Sequence, residues 1–341
     1  MNAGIPDRRE FIQTGIAGLA VAGAVTGAET PPVNAGRIPM RRFGNTQEMV
    51  SAISLGGHAA TNPKLFAEKD SVKLIQRAVD EGITFMDNCW DYHDGVAEER
   101  MGQALAAGDR RDKCFLMTKV CGRTAKDAQQ HLEDSLKRLK TDRIDLWQFH
   151  EIVYDNDPDW VFKIDGAIQT GLKAIKDGKV RYLGFTGHKD PSIHLAMLAK
   201  PYEWAAVQLP LNVMDVHYRS FQKKVLPELN RRGIAALGMK SLGGNGSIVK
   251  KAGIAVEDAL RYVLSLPITT LVSGIDSEQV LDQNLKIVRS FQPMTEAEKT
   301  AIEQRTASMA GDGRYELFKS SKQFDGPVHR KQHGFDDLVG P

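Results

Sequence analysis

The chain has 341 residues, of which 42% are hydrophobic and 26% charged, and its formal net charge is +2. Those proportions describe a globular chain, long enough for two average domains or one α/β barrel. The near-neutral balance leaves no electrostatic footprint for nucleic acid or an acidic membrane surface, so neither is an expected partner.

At the N-terminus, Asp7-Arg8-Arg9-Glu10-Phe11-Ile12 precedes a mildly apolar, Gly/Ala-rich run from Gly15 to Ala28. The pattern resembles a twin-arginine export signal with cleavage after Ala24 or Ala28. A chance Arg-Arg ahead of a flexible tail is the alternative. The run is too short and too Gly-rich for a membrane span, and no Cys follows it to carry a lipid, so no stable membrane anchor is expected. Residues 1–28 are read as the signal and 29–39 as a linker. The mature protein is then expected in the periplasm or another extracytoplasmic space, delivered by the twin-arginine translocation machinery. That route carries folded proteins, so a cytoplasmic cofactor could be loaded before export.

After the linker, MRRFGNTQEMVSAISLGG reads as a short hairpin running into a first strand near Val50 to Leu55, and Gly56-Gly57 allows close backbone approach. SVKLIQRAVDEG is an amphipathic helix that stops at Gly82, with Val72, Leu74, Ile75 and Val79 on its apolar face. TFMDNC is strand two with EERMGQALAAG its helix, CFLMTKV strand three with AKDAQQHLEDSLKRLK, and IDLWQFH strand four with GAIQTGLKAIKDGK. VRYLGFTG with SIHLAMLAK, AAVQLPLN with FQKKVLPELNRRG, IAALGMK with VEDALRYVLSLP, and ITTLVSGI with SEQVLDQNLKIVRS complete eight units. Short connections between them predict an α/β fold, a (β/α)8 TIM barrel over 40–290 with an N-terminal β-hairpin. A C-terminal helix near Thr295 to Met309 and an irregular tail occupy 291–341. In that tail, His329 and His333 stand at i,i+4 spacing, open to metal chelation, but solvated side chains are the expectation.

In such a barrel the active site gathers at the C-terminal ends of the strands. Strands two, three and four end at Asp87, Lys119 and His150, and Tyr92 follows Asp87 in a polar loop. Side chains alternate along a strand, so Phe85 and Asp87 share a face, as do Met117 and Lys119, and Gln148 and His150, while Trp147 and Phe149 turn onto the helices. A phenol with a pKa of about 10 is a poor acid at neutral pH. A neighbouring Lys ammonium is expected to lower that pKa, with Asp87 as its counter-charge. His150 is placed to orient a carbonyl oxygen toward Tyr92. No Cys or Ser nucleophile belongs to this set and its pattern suits no metal. Protonation of a carbonyl oxygen then implies a hydride as the attacking group.

Three cysteines give no disulfide framework. Cys114 and Cys121 sit at opposite ends of one strand, about 23 Å apart at about 3.3 Å per residue, too far to pair. Cys89 and Cys121 each lie two residues beyond a proposed site residue on neighbouring strands. A bridge between them is within reach, and two free thiols are the expectation.

The run Asp87-x4-Tyr92-x2-Gly95-x2-Glu98, with Lys119 and His150 closing the next two strands and RRFGNT…VSAISLGG at the entry, resembles the aldo-keto reductase family over roughly Ile38 to Ser290. The resemblance implies Tyr92 as general acid/base, tuned by Lys119 and Asp87, with His150 orienting the carbonyl. It implies NADP(H), with NAD(H) as the other choice, extended across the strand ends without a Rossmann fingerprint. Gly57 admits the cofactor's approach. Family members usually hold the carboxamide with Ser-Asn after strand five. Here Thr186 keeps the hydroxyl, Gly187 replaces the amide, and His188 is the substitute. Gln208 matches the carboxamide-binding Gln. Met239 stands where an aromatic commonly stacks, followed by Lys240. Ser241, Leu242 and the glycines to Gly246 fall where a loop covers the pyrophosphate. Gly274 and Asn284 match the adenosine-phosphate segment, with Gln283 in place of Glu, and Asp276 there would repel a 2′-phosphate. The partner implied is a small-molecule carbonyl substrate, an aldehyde or ketone. The alternative is a nicotinamide-nucleotide-binding sensor or accessory subunit with little turnover. His58, Trp90 and Glu151 are candidates for the pocket wall by position, with the tail after Gln292 above them.

Overall fold

A computed structural model of the protein describes residues 36–335, so the export-signal reading over 1–28 lies outside the described residues. Phe43 sets the lower end of the structure. It lies in the turn between β1 (Met40–Arg42) and β2 (Met49–Ser51), an antiparallel hairpin, and is fully buried. Its ring packs 4.7 Å from Phe115 and 6.3 Å from Phe85, centroid to centroid. The hairpin thus plugs one end of a barrel with aromatic surface, each such burial worth about 1.5–3 kcal/mol.

Above it, eight parallel strands close in chain order: β3 (Ile53–Gly56), β4 (Phe85–Asp87), β5 (Phe115–Val120), β6 (Ile144–Phe149), β7 (Val180–Thr186), β8 (Ala206–Pro210), β9 (Ala235–Met239) and β10 (Thr270–Gly274), which pairs back to β3. This is the (β/α)8 barrel expected from the alternation. The predicted first strand is two elements. β2 belongs to the hairpin and β3 to the barrel, and the Ser51 hydroxyl donates to Ile53 O at 2.7 Å across the break.

The alternation of side chains sorts two cores. Phe85, Met117 and Leu146 point inward with Val50, Ala206, Ala235 and Leu237. Trp147 and Phe149 point outward among the helices. Helix Glu68–Asp80 ends where Gly82 takes φ +98°, a conformation that suits glycine. Helix Ala125–Arg138 starts where the Thr124 hydroxyl accepts from Asp127 N at 3.1 Å. No helix among the described residues is long and apolar enough to cross a membrane.

The C-terminal segment departs from its expectation. Helix Glu296–Ala310 begins with a capping box between Thr295 and Glu298. The tail beyond it is not irregular: it folds into short helices Leu317–Ser320 and Pro327–Gln332 laid over the open end of the barrel. Nor are its histidines solvated. His329 is fully buried with Nδ1 2.9 Å from Glu151 Oε2, and His333 Nε2 lies 3.0 Å from Asp157 Oδ1. Each ring is committed to a different carboxylate, so the i,i+4 pair does not converge on one point. The physical reason is that two buried carboxylates stand at the barrel mouth, Glu151 and Asp157, the second already paired with Arg123 at 2.8 Å.

Candidate active site

Three successive strands deliver the central residues in register. Asp87 closes β4, Lys119 stands opposite Gln148 near the end of β5, and His150 directly follows β6. Tyr92 reaches back over these ends because His93, Asp94 and Gly95 all adopt positive φ in a tight turn. Lys119 Nζ is ion-paired with Asp87 Oδ1, donates to Asn88 O at 2.6 Å, and lies 3.4 Å from Tyr92 Oη. Behind them Glu98 is buried, accepting from the Thr118 hydroxyl at 2.6 Å and pairing with Arg138 at 3.3 Å. Glu98 thereby ties the loop's following helix to β5.

The electrostatics differ from the sequence expectation in one respect. Burial pushes the Tyr92 phenol well above its ordinary range and the Asp87 charge pushes the same way. Lys119, ion-paired with Asp87, does not offset these two effects. The phenol is therefore held protonated. Burial also keeps His150 neutral, well below the usual imidazole range, and lowers His58 to about 4.

A cavity of about 880 Å³ opens over this cluster, with Asp87, Tyr92, Lys119 and His150 in its lining. Its wall carries Thr186, Gln208, Met239 and Lys240 from the ends of β7, β8 and β9, then Ser241 and Leu242 from the following loop. Gly274, Asp276, Gln283 and Asn284 line the far side. His58, His188 and Glu151 are also exposed to it, and the tail contributes Phe324 to Pro327 and Arg330. Gly57 and Gly187 are not in the lining. A Cβ on Gly57 would overlap Asp87 O, and one on Gly187 would overlap Ile152 O, so both glycines serve backbone packing. Trp90 is likewise off the wall, stacked 3.5 Å from the His131 ring with Nε1 donating to Asp134 at 3.1 Å.

The cavity fits the group the resemblance implies. Gln208 Oε1 and His188 Nε2 are buried without a hydrogen bond within 3.5 Å, the Glu151 carboxylate lying 3.9 Å from His188 Nε2. His188 Nδ1 donates to Phe318 O at 2.9 Å, and burial holds the ring neutral, so Nε2 presents a lone pair. Two bare acceptors at one wall suit the amide hydrogens of a carboxamide.

One feature escaped the sequence. Glu151 Oε2 accepts from Gly326 N at 2.6 Å and pairs with His329, which ties the tail to the site. Burial opposes the imidazolium, but Glu151 raises His329 to about 10. Cys89 and Cys121 are the two free thiols expected, 4.0 Å apart, and both also face His150 Nδ1. Only the shared offset of two residues beyond Asp87 and Lys119 hinted at this meeting.

A model of the Aldo/keto reductase family matches residues 52–254. The chain is similar to aldo-keto reductase YhdN of Bacillus subtilis, 30% identical over 180 residues that cover 50% of this chain and 51% of that protein. It is also similar to aldo-keto reductase AFTS1 of Alternaria alternata, 27% identical over 255 residues, 62% of this chain and 66% of that protein. It therefore spans about half to two-thirds of the length of these curated relatives. Aldo-keto reductase AKR11C1 from Bacillus halodurans superposes with a TM-score of 0.66 at 20% identity, covering 79% of this chain and 96% of that one, a likeness of fold. With the family model covering more than half of the sequence, the chain belongs to the aldo/keto reductase family.

Proposed function

We propose that this protein reduces an aldehyde or ketone, or oxidises the corresponding alcohol, with NADP(H) or NAD(H). The observation that carries the reading is the Tyr92 phenol 3.4 Å from Lys119 Nζ at the floor of a cavity whose wall holds Gln208 Oε1 and His188 Nε2 free of hydrogen bonds. The nicotinamide nucleotide supplies or accepts the hydride when bound. Thr186, His188 and Gln208 would hold its carboxamide, Ser241 and Leu242 would lie against its pyrophosphate, and Gly274 to Asn284 would take its adenosine end. Tyr92 Oη gives its proton to the substrate oxygen, Lys119 stabilises the phenolate left behind, and Asp87 keeps Lys119 in place. His150 hydrogen-bonds the same oxygen and orients it. Family habit favours NADP(H), and the Asp276 carboxylate on the wall leaves NAD(H) open.

Steady-state oxidation of NADPH and NADH with a panel of aldehydes and ketones, beside direct nucleotide titration, tests this. Turnover on any carbonyl class supports it. Tight nucleotide binding with negligible turnover favours the sensor or accessory reading, which Met239 supports by standing where an aromatic commonly stacks. Failure to bind either nucleotide overturns both.

Lys240 gives the nucleotide site a pH dependence. Burial lowers its pKa to about 8, and its ammonium lies 5.4 Å and 5.0 Å from the Phe318 and Phe324 ring centroids. The cation is present below that pKa and lost above it. Affinity for an anionic nucleotide should therefore fall by roughly threefold to tenfold as pH rises from about 7 to about 9, at about 1.4 kcal/mol per tenfold. Lys240→Met should flatten the profile, and an unchanged slope in that variant would remove Lys240 from the site.

Export through the twin-arginine pathway to an extracytoplasmic space is part of the proposal and rests on Arg8-Arg9 and the run to Ala28. Replacing both with lysine should strand the protein in the cytoplasm on cell fractionation. Unaltered distribution would leave the motif a coincidence.

A further inference from the structure

The loops after β4, β5 and β6 bring three side chains that the proposed reduction does not use around the Nδ1 of His150. Cys89 Sγ lies 3.1 Å from His150 Nδ1, Cys121 Sγ 3.5 Å from the same nitrogen, and the two sulfurs 4.0 Å from each other. Asp91 Oδ1 stands 3.6 Å from His150 Nδ1. All four atoms fall within 4.8 Å of one another. Zinc bonds of about 2.3 Å to sulfur and about 2.0–2.2 Å to nitrogen and oxygen separate the donors of a tetrahedral site by about 3.3–3.8 Å. The four separations of 3.1, 3.5, 3.6 and 4.0 Å bracket that range, so the donors lie close to the spacing such a site needs.

The donors' other partners are few, Cys89 Sγ donating to Lys119 O at a long 3.9 Å. Asp91 Oδ1 is buried without a hydrogen bond, a costly state for a carboxylate oxygen. Both cysteines are fully buried and free. His150 Nδ1 meets only the thiols and that carboxylate, although a buried imidazole N–H normally finds a carbonyl or carboxylate at closer range. The backbone around them is held from outside. Arg123 donates to Cys121 O at 3.1 Å and to His150 O at 2.8 Å, and Gln332 donates to Cys121 O at 2.9 Å. The neighbouring cluster of His150, Glu151 and His329 is a weaker candidate, since Glu151 Oε2 is already taken by His329 and Gly326 N.

We propose that Cys89, Asp91, Cys121 and His150 Nδ1 bind one thiolate-preferring divalent cation of the zinc class, in a closed four-ligand site behind the catalytic face of His150. Binding breaks two S–H bonds, forms two S–metal bonds and releases both protons to solvent, with no change of oxidation state. Two thiolates and one carboxylate around a dication leave a single net negative charge beside the Arg123 guanidinium. A metal on Nδ1 also fixes the tautomer, so that Nε2 carries the proton. His150 is then a permanent donor toward a carbonyl oxygen in the cavity. That consequence for His150 rests on the reductase reading, whereas the metal site does not.

The test is metal analysis of the full-length protein purified under reducing conditions, followed by Co2+ titration of the chelator-stripped protein, neither of which needs nucleotide or substrate. One equivalent of zinc, and stoichiometric Co2+ uptake with a thiolate-to-cobalt charge-transfer band and tetrahedral visible bands, are expected. Cys89→Ser and Cys121→Ser should each weaken Co2+ affinity at least about tenfold and reduce the charge-transfer band by about half, with far-ultraviolet circular dichroism reporting that the fold persists. Titratable thiols that bind no Co2+ would overturn the site, as would a Cys89–Cys121 disulfide in the freshly purified protein. Unchanged Co2+ binding in the double cysteine variant would overturn it as well. For His150, stripping the metal should lower kcat at least about tenfold while nucleotide affinity holds. Unchanged kcat would overturn the positioning role and leave the metal site standing.

Discussion

Tyr92→Phe should lower kcat for carbonyl reduction by about 10²–10⁴-fold, the span general acid catalysis contributes, while nucleotide affinity stays within about twofold of wild type. Phenylalanine keeps the ring that packs edge-on 5.1 Å from His58 and 5.7 Å from His150, so the loop after β4 retains its shape. Only the hydroxyl is lost, together with its 3.4 Å approach to Lys119 Nζ. The Asp87–Lys119 pair and the bond from Lys119 to Asn88 O do not depend on it, so the floor of the cavity stays charged as before. Stopped reaction assays beside fluorescence titration of the nucleotide separate the two effects. Full activity in Tyr92→Phe would falsify the proton-donor role. A fall in nucleotide affinity of similar size would point instead to a structural loop residue.

The barrel was legible because its strands carry a period-two code with little interference. Phe85, Met117 and Leu146 face inward while Trp147 and Phe149 face the helices, and the same parity carries Asp87 and Lys119 to one mouth. Strand ends are fixed by register, so three of the central residues could be placed from spacing alone. The tail was not legible, because its folding depends on partners far away in sequence. Lys319 meets Asp215, His329 meets Glu151, and His333 meets Asp157. A short polar segment with isolated histidines carries no periodicity that announces such pairings. The pKa of Tyr92 was misjudged for a related reason. The pairing of Lys119 with Asp87 was visible in the sequence, but the depth of burial was not. Glycines divided along the same line. Gly57 and Gly187 look like cofactor contacts by position, and only the overlap a Cβ would make with Asp87 O or Ile152 O shows them to be packing residues.

Lys319→Met should destabilise the protein by about 3–5 kcal/mol, the cost of stranding buried charges when one partner of a pair is removed. Lys319 is among the largest fully buried side chains, and its Nζ lies 2.7 Å from Asp215 Oδ1, 2.9 Å from Glu316 Oε1 and 2.8 Å from Tyr218 O. Asp215 is held in place from its other side, because its carboxylate also accepts from Ser220 Oγ, Phe221 N and Gln222 N at the start of helix Phe221–Lys224. Glu316 is the softer partner: burial already raises its pKa, and only the Asn212 amide, at 2.8 Å, would remain to hold it. Adding Glu316→Gln to Lys319→Met should therefore recover part of the loss, a non-additivity expected within one network. The methionine fills most of the lysine stem's volume, so the effect reads charge rather than a cavity. Because helix Leu317–Ser320 anchors the chain that continues into Phe324, Asp325 and Gly326 on the cavity wall, proteolysis of the tail should quicken. KM for both nucleotide and carbonyl substrate should rise with it. Denaturant unfolding measures the first effect and limited proteolysis the second. A loss under about 1 kcal/mol would mean that water reaches Asp215 and Glu316 once Lys319 is gone, and that the tail is held by its aromatic contacts instead.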